Sequence, residues 1–223
     1  MTRTKLKDRR LPVYTVGEER MNMITHIIGG GFGVIILAAA VLIGAVHHNF
    51  WAVVGGAIYG VSMIALYTVS SVYHGLKPGT GKKVMQVIDH CTIYMLIAGT
   101  YTPILLVSIR PVYPVLAWVI FGIQWGLTAF AVVLNAIDLK KFRVISMILY
   151  IAMGWCIIIA VKPMLECTGW TAFWWILAGG VSYTIGAVLY GMGRTRKYFH
   201  SVFHIFVDLG SLAQAIGILF FVL

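Results

Sequence analysis

The chain is made of apolar runs, each about 20 residues long, separated by short polar stretches, and this pattern leaves few ways to fold. Of its 223 residues, 60% are hydrophobic and only 11% are charged, more apolar surface than a soluble core of this size can hide. The solvent has to be lipid. There, backbone polar groups are satisfied only within helices or a closed barrel, and these runs are far longer than barrel strands. The expectation is an all-α membrane protein, a seven-transmembrane helix bundle with spans near 23–46, 51–74, 85–108, 113–134, 144–164, 170–191 and 200–222.

Lys and Arg set the orientation. The arm holds Arg3, Lys5, Lys7, Arg9, Arg10 and Arg20, and the second, fourth and sixth loops hold three each, so fifteen of the seventeen lie on one side. Arg110 and Lys162 lie near the third and fifth loops, and the first loop, His47-His48-Asn49, has none. This places the amino terminus in the cytoplasm and the carboxyl terminus outside. Residues 1–20 lack an apolar core and a small-residue cleavage site, so they read as a cytoplasmic basic arm rather than a removable signal peptide. Residues 21–223 read as a single transmembrane domain, because no linker or low-complexity stretch divides them. The net charge of +10 sits in short loops beside apolar spans. That fits anionic headgroups and topology, not nucleic acid.

Glycines at Gly29–Gly31, Gly55–Gly56 and Gly179–Gly180, with Gly29 and Gly33 four apart, suit close helix approach. Pro103, inside the third span, removes a backbone hydrogen bond and predicts a kink that can also shape a cavity. Cys91, Cys156 and Cys167 show no CxxC spacing and read as small packing residues.

Ionisable groups inside spans are expensive, so their placement is informative. Asn22 and His26 open the first span, Ser70 and His74 close the second, Asp89 and His90 open the third, and His200, His204 and Asp208 open the seventh. All these ends face the same side at similar depth. His200 and His204 are i and i+4, so they project from one helix face and can hold one metal ion, with Asp208 continuing that face. Ser70 with His74, and Asn22 with His26, share the same relation. His74, His200 and His204 would supply three imidazoles and leave a fourth position for water, with Asp89 touching the metal directly or through that water.

Taken singly, each signal is weak, since HxxxH is common and interfacial histidines often only cap or hydrogen-bond. His26 reads more as a helix-start hydrogen bonder than as a ligand. His47 and His48 read as solvated loop residues. His90 lies about 100° around the helix from Asp89 and reads as packing elsewhere. Tyr73, Tyr94 and Tyr101 read as packing residues that could line a cavity.

The pattern ERMNMITH, then SSVYH, then an aspartate opening the third span with a later GTYTP, then HSVFH, resembles the hemolysin III family. That family is related to the progestin and adipoQ (adiponectin) receptors and, more distantly, to alkaline ceramidases. The resemblance covers nearly the whole chain. It implies a seven-helix fold with a zinc ion near the cytoplasmic leaflet held by His74, His200 and His204, Asp89 acting through a zinc-bound water, and Ser70 beside it. Glu19, with Glu18 an equally adjacent acid, and Asn22 and His26 match the family's first motif. The long amino-terminal domain of the receptors has no counterpart in the sequence, which argues against adiponectin-like recognition.

The expected function is zinc-dependent hydrolysis of a lipid amide or ester at the cytoplasmic leaflet of a bacterial plasma (inner) membrane, with membrane lipid as partner. Zn²⁺ would polarise the carbonyl, Asp89 would take the proton of the attacking water and Ser70 would donate to the oxyanion. A structural zinc in a non-enzymatic sensor of membrane state uses the same ligands. Pore formation is disfavoured, because no repeated polar stripe could line a channel. Haem held by paired histidines is a fourth reading.

Overall fold

A computed structural model describes residues 4–192 and 196–223, apart from the side chain of Lys7. Arg3 and Arg194, which entered the charge count, lie outside the described residues. Among the described residues the chain is helical and contains no strand. The main helices are α1 (Val16–Val46), α2 (Phe50–Gly75), α3 (Thr80–Pro103), α4 (Pro114–Asp138), α5 (Arg143–Gly154), α6 (Val161–Met192) and α7 (Phe199–Phe221).

Local chemistry sets several boundaries. α1 starts well before the span expected from residue 23, because Thr15 and Glu18 form a reciprocal capping box that satisfies the first amides. The Asn49 side chain accepts from the amides of Trp51 and Ala52 and starts α2. Pro114 occupies the first turn of α4, where its missing amide costs nothing. At Pro103 α3 passes directly into a π-helical segment, Ile104–Ile109, where the Arg110 amide reaches back to the Leu105 carbonyl at 2.8 Å.

The bundle is inside out relative to a soluble one. Along α1 the buried positions are Glu18, Asn22, His26, Gly29, Gly33, Ile36, Ala40 and Gly44. Its exposed positions include Ile24, Ile27, Ile28, Val34, Ile35 and Leu42. Polar and small residues face the neighbours and branched apolar residues face outward, which is the arrangement lipid demands. Six stretches are long and apolar enough to cross a membrane by length and composition. Between such helices lipid gives no hydrophobic drive, so close van der Waals contact has to hold them. At the α1/α2 contact a Cβ added at Gly56 would lie 2.7 Å from Ala40 Cβ, and one at Gly60 2.6 Å from Leu37 Cα. In the glycine groups singled out above, Gly29, Gly55, Gly56 and Gly179 sit at such contacts, whereas Gly31 and Gly180 have nothing within 4 Å.

One of these stretches is the continuous run Arg143–Met192, 50 residues long, where the hydropathy pattern predicts two separate spans. It joins α5 to α6 through a 3-10 segment, Cys156–Ala160, and α6 departs from helical geometry at Gly169 (φ 77°). The two sides of Gly169 meet: Trp155 Nε1 donates to Thr184 Oγ1 at 3.1 Å. Tyr101 from α3 clamps the irregular segment, donating to the Gly154 carbonyl and accepting from the Ile157 amide, both at 2.8 Å. Those are backbone groups that the break would otherwise orphan.

Gly60→Val is expected to wedge α1 from α2 and to lower stability in detergent by about 1–3 kcal/mol. Thermal unfolding monitored by circular dichroism checks this against Gly126→Ala, a position with nothing within 4 Å and no expected loss.

Candidate metal centre

Three imidazoles converge where α2 ends and α7 begins. His74 comes from the last turn of α2, and His200 and His204 from the first two turns of α7. One ligand nitrogen from each lies within 4.8 Å of the others. His200 Nε2 is 3.4 Å from His74 Nε2 and 3.1 Å from His204 Nε2. His74 and His204 are buried, and His200 is partly so.

The outer ring nitrogens decide what the inner ones can do. His74 Nδ1 lies 2.6 Å from Glu19 Oε2. A carboxylate only accepts, so this nitrogen carries the proton and donates. Asn22 Nδ2, at 3.4 Å from the same nitrogen, is also a donor and adds only a weak contact. His204 Nδ1 lies 3.2 Å from the Asn22 carbonyl and must likewise donate. In neutral rings His74 and His204 therefore turn lone pairs inward at Nε2, toward the third Nε2. A single proton on His200 can satisfy only one of them at a time. One cation satisfies all three, and separations of about 3.3 Å are those of nitrogens sharing a tetrahedral zinc at a bond length of about 2.0–2.1 Å. The donor set and its spacing fit zinc, and each fixed ligand has the outer hydrogen bond that such sites use to orient imidazole.

The surrounding groups come from the other helices. Glu19 also receives Lys82 Nζ from α3 at 2.5 Å, and Lys82 donates to the Leu76 carbonyl at 3.1 Å. Ser201 Oγ donates to Asn22 Oδ1 at 2.6 Å. Glu18 is separated from Glu19 in role: it completes the α1 capping box and accepts from the Tyr198 amide at 2.7 Å, just before α7. Tyr14, ahead of α1, stacks on His200 with centroids 4.9 Å apart and planes at 17°. Burial and the nearby carboxylates Glu19 and Asp89 push its phenol above the ordinary tyrosine range, which keeps it neutral.

The remaining candidates lie around the triad or apart from it. Ser70 is buried one turn before His74. Asp89 is close enough for its charge to act on His74, His200 and His26, and its Oδ2 lies 3.5 Å from His90 Nδ1. His90 is not in the triad: its Nδ1 lies against the Gln86 carbonyl at 2.8 Å, and its Nε2 lies 3.5 Å from the hydroxyl of Tyr190, whose ring packs on His200. His26 differs from expectation: among the described residues neither ring nitrogen, both buried, has a hydrogen-bond partner. It stacks on His204 at 3.7 Å and meets the edge of Tyr67 at 5.0 Å, so ring packing fixes it. Asp208 lies a turn beyond His204, against Gly29 and outside the triad, and its Oδ1 has no partner among the described residues. Next to it Tyr67 and Tyr183 both meet the Ser211 hydroxyl at 2.6 Å. His47 and His48 form the turn between α1 and α2, at the opposite end of the bundle. Of the tyrosines, Tyr73 packs on His74, Tyr94 packs on Tyr150, and Tyr101 lines a cavity of about 40 Å³ beside the α5 break, shared with Thr100 and Gln214.

Sequence reasoning misses Lys82, Ser201 and Tyr14. Lys82 carries a signal, since it stands two turns before Asp89 on the same helix face and is the lysine of that loop nearest the polar stripe. Tyr14 carries none, because it precedes every periodic segment.

The profile of the family described as Haemolysin-III related matches residues 14–215. Hemolysin-3 of Bacillus cereus is 36% identical over 208 residues, covering 93% of both chains. The Hemolysin-3 homolog of Bacillus subtilis (strain 168) is 34% identical over 209 residues, 94% of this chain and 96% of that protein. The ADIPOR-like receptor IZH2 of Saccharomyces cerevisiae is 25% identical over 233 residues, 93% of this chain and 72% of that protein. No solved structure matches. The match spans both the arm tyrosine that stacks on the triad and all three histidines, and on it the chain belongs to the hemolysin III family of membrane proteins, related to the adiponectin receptors.

Proposed function

We propose that this protein is a zinc-dependent hydrolase of a lipid amide or ester, with seven spans, its amino terminus in the cytoplasm and its site at the cytoplasmic leaflet of a bacterial plasma membrane. The observation that carries the metal reading is one ring nitrogen from each of three histidines within 4.8 Å of the others, with His200 Nε2 3.4 and 3.1 Å from the Nε2 atoms of His74 and His204, both of which are held as acceptors by Glu19 and the Asn22 carbonyl. His74, His200 and His204 hold the ion. No fourth protein ligand joins the cluster among the described residues, which leaves a position for a small ligand, as in catalytic zinc sites. Bound there, zinc would supply Lewis acidity toward a carbonyl and acidify a water.

The chain's own groups supply the rest of the chemistry. Asp89, whose charge acts on His74 and His200, accepts the proton of the attacking water and passes it to the leaving group. Ser70, a turn before His74, donates to the developing oxyanion. Glu19 and Asn22 hold the imidazoles, and Lys82 holds Glu19. The lipid class rests on a site at the end of an apolar bundle.

A second reading has a specific observation in its favour. Neither the cavity of about 40 Å³ inside the bundle nor the open depression of about 490 Å³ around Tyr113 is lined by any of the three histidines, and small-molecule pockets run to about 300–1,000 Å³. A staple that ties α2 to α7 in a protein sensing membrane state needs no larger space.

Seven spans are supported by the contact of Trp155 with Thr184 across Gly169, and by Tyr113, beyond the far end of α3, donating to Glu166. The first joins two parts of the run Arg143–Met192 across Gly169, and the second brings Glu166, near the middle of that run, to the same end of the bundle as the α3–α4 connection. Orientation rests on fifteen of seventeen basic residues at the arm end.

Three outcomes are expected. Mass spectrometry of chelator-free, detergent-purified protein gives about one zinc per chain, lost in His74→Ala, His200→Ala and His204→Ala variants that stay folded; metal-free wild type would remove the zinc chemistry. Asp89→Asn retains the zinc but loses turnover of the responsive amide or ester lipid by about 10²–10⁴-fold; full turnover would remove its proton role. In a Cys91→Ala, Cys156→Ala background, Cys167 reacts with an impermeant maleimide on intact cells, as a residue in an outer turn must. A single crossing of Arg143–Met192 would bury it mid-membrane and leave it unlabelled.

A further inference from the structure

Two of the three histidines are oriented by hydrogen bonds from α1, and the third is not. His74 Nδ1 has Glu19 and His204 Nδ1 has the Asn22 carbonyl. Both hydrogen-bonding contacts of His200 use Nε2, and its Nδ1 has none among the described residues. Imidazole ligands ordinarily need a partner on the outer nitrogen to fix the plane of the ring. Here rings take that place: Tyr190 and Phe203 meet His200 at 5.6 and 5.5 Å but tilted by 54° and 38°, so neither lies flat on it. Tyr14 lies nearly parallel to His200, with centroids 4.9 Å apart and planes at 17°, and it also meets His74 at 5.9 Å and 55°.

The segment that delivers Tyr14 is tied down on both sides of it. Behind it, the Thr4 amide donates to Asp138 Oδ2 at 2.6 Å and Arg9 Nη2 to the Ile137 carbonyl at 3.4 Å, so the arm is fastened to the end of α4. Ahead of it, Glu18 Oε1 accepts from the Tyr198 amide at 2.7 Å. Tyr198 holds a positive φ of 64° as it leads into α7, a conformation that a non-glycine residue keeps only where its surroundings impose it. The arm is thus a strap running from α4 to the start of α7, and it crosses the triad with an aromatic face down.

The geometry points to Tyr14 as a positioning residue that sets the ring plane of His200 and closes the arm side of the metal centre. This rests on the triad holding a metal, as proposed above. Aromatic stacking supplies orientation without a hydrogen bond. It also covers the ligand that lies closest to the loop end, where water and chelators would arrive. The hydroxyl is not required for either effect.

The test uses full-length protein in detergent loaded with Co²⁺, whose visible bands report ligand geometry, followed by metal release to excess chelator. Tyr14→Ala is expected to shift the bands and speed release by about tenfold, at the lower end of what loss of an orienting partner costs. Tyr14→Phe, which keeps the ring, is expected to match wild type in both. Asp138→Ala, which cuts the strap at its far anchor, is expected to speed release with the bands unchanged, and it reports on the strap even if Tyr14→Ala does not fold. One metal per chain with wild-type spectrum and release in Tyr14→Ala overturns the role of Tyr14 alone, as does a Tyr14→Phe protein that behaves like Tyr14→Ala. For Asp138→Ala, wild-type release overturns the strap. No metal in wild type overturns the metal centre itself and this inference with it.

Discussion

The first two turns of α1 hold the site together. Glu19 reaches His74 on α2 and Lys82 on α3, while Asn22, one turn on, reaches His204 and Ser201 on α7. A polar group buried without a partner costs roughly 1–3 kcal/mol, and in lipid no water stands ready to replace a lost partner. Three helices are therefore committed to one depth and one rotation relative to α1. The convergence of the histidines follows from that commitment: HxxxH on α7 sets the spacing of two rings, but only the α1 contacts bring them level with the end of α2.

The same contacts separate what is legible in the sequence from what is not. Depth is legible, because a histidine at the end of one span and two at the start of another lie on the same side whenever the span count between them is right. The i, i+4 spacing of His200 and His204 and the matching depth of His74 are enough to group the three from the sequence alone. The outer contacts are less legible. Glu18 and Glu19 are adjacent acids, and only the helix rotation set by the Thr15 capping box sends one to His74 and the other to Tyr198. His26 looks like a hydrogen bonder because it shares the face of Asn22; it is a packing ring because that face meets His204 and Tyr67 where no acceptor is within reach. Tyr14 leaves no mark in the sequence, since an arm folded back under the bundle has no periodicity.

Hydropathy divides the run from Arg143 to Met192 just where α6 leaves helical geometry at Gly169, but the 3-10 segment at Cys156–Ala160 lies within the expected fifth span, is as apolar as its surroundings and leaves no mark in the sequence. The break is stable because Tyr101 serves as both donor and acceptor for the backbone groups it frees. Irregular backbone at membrane depth persists only where protein or a wet cavity satisfies it, and here both a clamp and a small cavity are present.

The two halves of the bundle consequently differ in how readily they can move. α1, α2 and α7 are joined by the site and, deeper in, by Tyr59 and Tyr67 reaching the Ser211 carbonyl and hydroxyl on α7; glycine contacts close α1 on α2 and α6 on α7. Separating any of these exposes buried polar groups to lipid. α5 carries few buried residues, Ser146 and Met153 among them, and most of its surface is open. Opening free energy scales with the contacts and hydrogen bonds that must be given up, so a bundle that admits a lipid tail yields on the α5 side and keeps the histidines fixed. The histidine triad belongs to the half joined by these contacts, so its ring spacing is the last feature of the bundle that an opening on the α5 side would disturb.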